Sequence, residues 1–174
     1  MNYFQLFGLP ETFELDLQRL SERYRELQRT FHPDKFAASS ALERRLAMQR
    51  AAEINQAFHT LKDPVERATY LLSLRGVDNR NTAAKVDQAF LMEQMELRER
   101  LAELRSQPDP STALEELIAD ITRRTNTVLQ ELTRQLEESS ERSHTAAQES
   151  VAKLMFLRKI TREANEIYDE LLED

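Results

Sequence analysis

Apolar residues in the first half of the chain recur three or four positions apart, the spacing of helices with one buried face. Leu17, Leu20, Tyr24, Leu27 and Phe31 share such a face, on a helix that Asp16 can cap. Pro33 ends it, because a proline disfavours helical backbone at the residue before it and offers no N–H. The helix should stop near His32, and the loop beyond it presents His32-Pro33-Asp34. Upstream, Asn2 to Phe7 is a short apolar segment closed by Gly8-Leu9-Pro10, enough for one or two helical turns. Downstream, Ser40 and Glu43 form a capping-box pattern that opens a long helix. Its apolar face carries Leu46, Ala47, Ala51, Ile54, Ala57, Phe58 and Leu61. The two long helices can therefore pack antiparallel, with the tripeptide at the tip of the hairpin. Asp63-Pro64 starts a fourth helix, with Ala68, Tyr70, Leu71, Leu72 and Leu74, which runs to a glycine stop at Gly76.

The polar, asparagine-rich stretch Val77 to Thr82 reads as a boundary, and divides the chain into a unit over 1–76, a linker over 77–86 and a unit over 87–174. Three helices are expected in the second unit. The first runs from Asp87 to Arg105, ahead of Pro108-Asp109-Pro110. The next, capped by Ser111 or Thr112, carries a near-heptad stripe of Leu114, Leu117, Ile118, Ile121, Val128, Leu132 and Leu136. At 1.5 Å per residue it would span roughly 40 Å. The last follows a polar turn from Ser139 to His144, with Val151, Leu154, Leu157, Ala164, Tyr168 and Leu171. Short connections between long stripes predict an elongated, antiparallel up-down-up bundle. The whole chain is expected to be all-α.

Composition supports that fold class and narrows the function. Only two of 174 residues are glycine, aromatics are few and 32% are charged. The absence of cysteine excludes disulfides and thiolate metal ligands, and no metal or cofactor is expected. Net charge is −7, shared unequally: residues 1–84 hold 12 basic and 11 acidic side chains (net +1), residues 85–174 hold 12 and 20 (net −8). Neither half has the basic footprint of a nucleic-acid binder. No apolar run approaches the roughly 20 residues of a membrane span, and the N-terminus lacks the layout of a signal peptide. A cytoplasmic protein without membrane contact is expected.

Two places carry candidate chemistry. His32 and Asp34 could form an acid/base pair, yet nothing supplies a nucleophile, an oxyanion hole or a cofactor loop, so an enzyme is not expected. The tripeptide could also be a plain connector, since Asp and Pro form turns and a histidine suits a helix C-terminus. On the preceding helix, Arg25 and Arg29 line one outward strip, with Glu22 and Glu26 between it and Arg19 and Arg23; a solvated mixed-charge face would look the same. The second place is the helix after the linker. Phe90, Gln94, Leu97, Leu101 and Leu104 form its core stripe, whereas Leu91, Met92 and Met95 lie roughly 100–200° away, beside Glu96, Glu99 and Glu103. Such a patch either packs on the neighbouring unit or receives a partner. The long stripes also fit a structural coiled-coil or oligomerisation module with a helical hairpin attached.

The short first helix, the basic strip at Arg25 and Arg29, His32-Pro33-Asp34, and Ile54-Asn55-Gln56-Ala57-Phe58 followed by Leu61-Lys62-Asp63-Pro64 resemble a J-domain over residues 1 to about 75. The resemblance implies a co-chaperone that stimulates ATP hydrolysis by a seventy-kilodalton heat-shock chaperone. Carried over, His32, Pro33, Asp34, Arg25, Arg29 and Lys35 would contact that partner. Glu26 departs from the pattern, since many J-domains are basic there, and implies a narrower contact strip. Tyr3-Phe4, Leu6-Phe7-Gly8-Leu9-Pro10, Tyr70-Leu71-Leu72-Ser73-Leu74 and the stretch Phe90 to Glu99 extend the likeness to the whole chain, which is similar to the HscB family of specialised J-proteins. That implies delivery of the iron-sulfur scaffold IscU to the heat-shock cognate chaperone HscA. The scaffold-binding face would comprise Leu91, Met92, Met95, Glu96, Glu99 and Glu103, with Phe156 from the last helix, which also lies off the centre of its own stripe. Eukaryotic members carry an extra cysteine-bearing N-terminal segment, so a chain that starts at the J-domain looks bacterial. Because clusters are held by thiolates, this cysteine-free chain would act on a protein that supplies them. A monomeric adaptor is the expectation.

Overall fold

Capping residues at the start of most helices explain much of the architecture. The computed structural model describes residues 1–78 and 87–173; the greater part of the expected linker, residues 79–86, lies outside them. The chain divides into two compact units, Met1–Gly76 and Val77–Asp174. Every regular element among the described residues is helical.

In the first unit, α1 (Tyr3–Phe7) begins with a reciprocal capping box between Asn2 and Gln5 and ends at Gly8, whose φ of 62° an L side chain would resist. Short as it is, α1 is fastened to its neighbours. Phe4 is fully buried, the Tyr3 ring stacks on Tyr70 at 4.5 Å, and the Tyr3 amide donates to the Tyr70 hydroxyl at 3.0 Å. Helix α2 (Leu17–Phe31), capped by Asp16, packs against α3 (Ala41–Lys62), which opens with the Ser40–Glu43 capping box. The hairpin is locked midway. Tyr24 stacks on Phe58 at 3.9 Å, its hydroxyl donates to Asn55 Oδ1 at 2.8 Å, and Gln28 donates to both. Helix α4 (Pro64–Leu74), capped by Asp63, completes the unit.

Two observations differ from expectation here. Leu46, placed on the core face of α3 by its period, is 55% exposed. Helix α3 starts beyond the end of α2, so Leu46 borders an open cleft that Phe31, Phe36 and Arg50 also line. Conversely, Arg67 is 93% buried, at a position that no hydrophobic period marks. Its guanidinium donates to the Phe13 carbonyl at 2.8 Å and the Leu61 carbonyl at 2.6 Å, and lies 4.9 Å from the centre of the Phe13 ring. Burial lowers its pKa from the usual guanidinium value, partly countered by Asp63. Arg67 thus ties the segment after α1 to the α3–α4 junction. Arg67→Met should destabilise this unit by about 2–3 kcal/mol, because two buried carbonyls lose their donors. Urea denaturation followed by circular dichroism measures the loss.

The second unit holds α5 (Gln88–Glu103), α6 (Pro110–Glu137) and α7 (Glu141–Glu173). Cross-helix contacts give their directions. Glu93 meets Arg124 and Arg100 meets Asp120, so α5 and α6 run antiparallel. Gln135 meets Ser150, so α6 and α7 run antiparallel. Phe90 meets Phe156, Arg98 meets Glu163 and Arg105 meets Glu170, so α5 and α7 are parallel. The bundle is the expected up-down-up arrangement. Its core contains Phe90, Leu97, Leu101, Leu114, Leu117, Ile121, Leu132, Leu154 and Leu157, together with Ile160, which the expected stripe omitted. Gln94 sits at its edge, half-buried, and Tyr168 is exposed at the far end of α7.

Three boundaries are corrected. Asp109, not Ser111 or Thr112, caps α6, with Pro110 in the first helical position. The Asp109 carboxylate accepts from the Thr112 amide, which holds its pKa below the usual range. Helix α5 ends at Glu103 and tightens into a 3-10 turn over Leu104–Ser106, which keeps Leu104 buried. Helix α7 begins at Glu141, inside the segment expected to be a turn.

Candidate functional site

The first candidate surface is made by the end of α2. His32 is its C-cap, with φ −60° and ψ 129°, the extended geometry imposed by Pro33. The tripeptide is not an open loop: Pro33–Phe36 winds into a 3-10 turn, closed by the Lys35 amide donating to the His32 carbonyl at 3.0 Å. His32 Nδ1 accepts the Asp34 amide at 3.3 Å and lies 3.6 Å from the Asp34 carboxylate. In the neutral ring this leaves Nε2 as the donor. Arg25, Arg29, His32 and Lys35, with Gln28, line one open depression on the hairpin. Pro33 and Asp34 sit on the turn beside it, and all six predicted residues are exposed. Glu26 does not line this depression, and its carboxylate pairs with Arg23 at 3.1 Å. The negative charge that departs from the family pattern is answered locally.

The second candidate surface lies on α5. The helix docks through two sides, one on α6 and one on α7, and what faces away from both is apolar and acidic. Leu91, Met92 and Met95 are 50%, 65% and 72% exposed. Glu96, Glu99 and Glu103 are exposed beside them. Phe156 on α7 is half-buried, packed edge-on against Phe90 at 5.7 Å and covered by the Arg98 guanidinium. The surface role expected of Phe156 is therefore only partial, because its ring also seals the α5–α7 seam.

Two features of this region were not foreseen. Met155 is 50% exposed next to Phe156; its position off the α7 stripe was the available signal. A chain of six charges also joins α5 to α6: Arg124 contacts Glu93, Glu96 and Asp120, while Arg100 contacts Glu96 and Asp120, and Arg123 contacts Asp120. Burial alone would raise the Asp120 carboxyl, but hydrogen bonds from Arg100 and Arg124 outweigh it and hold it below the usual carboxylate range. Burial alone would lower Arg124, but Asp120 and Glu93 outweigh it and raise its pKa. Among the described residues there is no cluster of three or more side chains suited to a metal ion, and no helix long and apolar enough to cross a membrane.

An exposed histidine-proline-aspartate turn at the tip of a helical hairpin, beside a basic depression, defines a J-domain co-chaperone, and the DnaJ domain family matches residues 2–70. The HSCB C-terminal oligomerisation domain family matches residues 86–165. The chain is 49% identical over 173 residues to a co-chaperone protein HscB homolog of Aliivibrio salmonicida, covering 99% of both chains. It is 46% identical over 174 residues to the homolog of Aeromonas hydrophila, again covering 99% of both. The solved structure of chaperone HscB from Vibrio cholerae superimposes with a TM-score of 0.89 at 44% identity, over 98% of this chain and 99% of that one. The chain belongs to the HscB family of co-chaperones.

Proposed function

We propose that this chain is an adaptor which binds the iron-sulfur scaffold IscU through its second unit and brings it to the chaperone HscA through its J-domain. Docking of the J-domain stimulates ATP hydrolysis by the chaperone and so promotes cluster transfer. His32, Pro33, Asp34, Arg25, Arg29 and Lys35 make the chaperone contact; Leu91, Met92, Met95, Glu96, Glu99, Glu103 and Phe156 make the scaffold contact. The observation that carries this reading is the pairing of two exposed surfaces of different chemistry on separate compact units: a basic depression beside the turn and an apolar, acidic face on α5. Tethering both partners to one chain raises the local concentration of scaffold at the chaperone. Lacking cysteine, the chain leaves the cluster on the scaffold's own ligands.

A steady-state ATPase assay with purified HscA tests the proposal. The chain alone should stimulate hydrolysis, and chain plus IscU should exceed the sum of their separate effects. Additive rates would contradict an adaptor. The family description of the second unit also suggests self-association, with the long α6 and α7 stripes as its means. Those stripes are spent on the core within one chain, since Leu114, Leu117, Ile121, Leu132, Leu154 and Leu157 are all buried, which favours a monomer.

A further inference from the structure

All five methionines of the chain are at least half exposed, and among the described residues none is in the core, which is built from Phe, Leu, Ile, Val and Ala. That distribution is unusual, because methionine is normally among the most buried residue types. Met92 and Met95 stand three residues apart on α5 and so share one side of the helix, and Met155 follows on α7 next to Phe156. These three are the sulfur atoms of the second unit; Met1 and Met48 belong to the J-domain. The chain has neither cysteine nor tryptophan. An oxidant that meets it finds no thiol, and the exposed thioethers are the groups most readily oxidised.

We propose that Met92 and Met95 form a reversible oxidation site, which switches the scaffold-binding face from an apolar to a polar state. The inference rests on the assignment of that face to α5 and adds its control. Hydrogen peroxide is the oxidant: a sulfur lone pair attacks one peroxide oxygen, the O–O bond breaks, an S–O bond forms and water leaves. The sulfur loses two electrons and the peroxide gains them. A sulfoxide reductase reverses the step with a dithiol, which becomes a disulfide while the oxygen leaves as water. The sulfoxide is polar, and its oxygen accepts hydrogen bonds. On the free chain that oxygen is solvated and costs the fold little, since neither side chain belongs to the core. Against an apolar partner surface it must give up its water with no donor in return, which is unfavourable. The modification therefore acts on binding and not on folding.

The test treats the full chain with hydrogen peroxide, removes the peroxide, and titrates the product against apo-IscU by calorimetry, with peptide mass spectrometry to locate each added oxygen. Met92 and Met95 should each carry one oxygen, the urea midpoint should not move, and affinity should fall about 5- to 30-fold. The two methionine sulfoxide reductases, one for each sulfoxide epimer, should restore it with dithiothreitol. Met92→Gln/Met95→Gln, which sets an amide oxygen in place of each sulfoxide, should weaken binding without peroxide. Met92→Leu/Met95→Leu should not respond to peroxide, whatever its starting affinity, whereas Met155→Leu should still respond. If Met92 and Met95 are oxidised and affinity holds, if the reductases fail to restore it, if the loss persists in the leucine pair, or if the urea midpoint falls with the affinity, the switch is wrong. Leu91→Ala without peroxide separates the two levels. Unchanged affinity in that variant would overturn the assignment of the face itself, whereas a loss there combined with indifference to oxidation would remove only the switch.

Discussion

His32→Gln should abolish stimulation of the chaperone ATPase while leaving the affinity for scaffold unchanged. The histidine sits at the hairpin tip with its side chain more than half exposed, so replacing it costs the fold little, within about 0.5 kcal/mol. What is lost is local. Nδ1 no longer accepts the Asp34 amide that opens the 3-10 turn, and the ring no longer stands beside Arg29 and Lys35 in the depression. Pro33 still breaks the helix at the same place, so the turn persists in outline but its chemistry does not. Scaffold binding, which the proposal assigns to the other unit, gives the internal control. An ATPase assay paired with calorimetry on the same preparation is the measurement, and loss of both activities together would refute the division of labour.

The second large effect is expected at the α5 face. Leu91→Ala/Met92→Ala should weaken scaffold binding by about 10- to 100-fold, or about 1.4–2.7 kcal/mol, without changing the basal stimulation of the chaperone. Both side chains are at least half exposed in the free chain, so truncation removes little from the bundle core and its cost appears on binding. Phe156→Ala is less clean. Its ring packs on Phe90 beneath Arg98, so that variant also loosens the α5–α7 seam and should lower stability as well as affinity. Titration together with a urea midpoint for each variant separates these contributions, and unchanged affinity in the double variant would remove α5 from the proposed site.

How much of this was legible in the sequence depended on whether the signal was local. The turn at His32 was readable because one proline dictates the backbone before it, and the Ser40–Glu43 box because its two halves are three residues apart. The α6 stripe was readable because one period runs through many turns. Asp109-Pro110 carries the same helix-start signal as Asp63-Pro64, but two hydroxyls, Ser111 and Thr112, follow it directly and compete as caps. Leu46 misled because periodicity says which face a residue occupies and nothing about where the opposite helix ends. Arg67 and Arg124 were out of reach for another reason. Their roles are set by Phe13 and Leu61, or by Glu93 and Asp120, and no spacing brings those partners together before the helices pack. The candidate residues were thus nameable from the sequence, whereas which of them are already engaged inside the molecule was not.

The parallel seam between α5 and α7 has a consequence for how the second unit assembles. Helices α6 and α7 are joined by a short turn and can zip together through local contacts. Helix α5 can pair with α6 in the same local way, but its seam with α7 closes through Arg98–Glu163 and Arg105–Glu170, pairs 65 residues apart in the chain. Loop closure over that span is entropically the most costly step available to this unit, and it is repaid only once the seam is complete. The α5–α7 seam is therefore expected to close after the contacts that each of these helices makes with α6. Leu91 and Met92 of α5 and Phe156 of α7 come onto one face only when that seam is closed, so a chain still unfinished in this unit presents the proposed scaffold face incomplete.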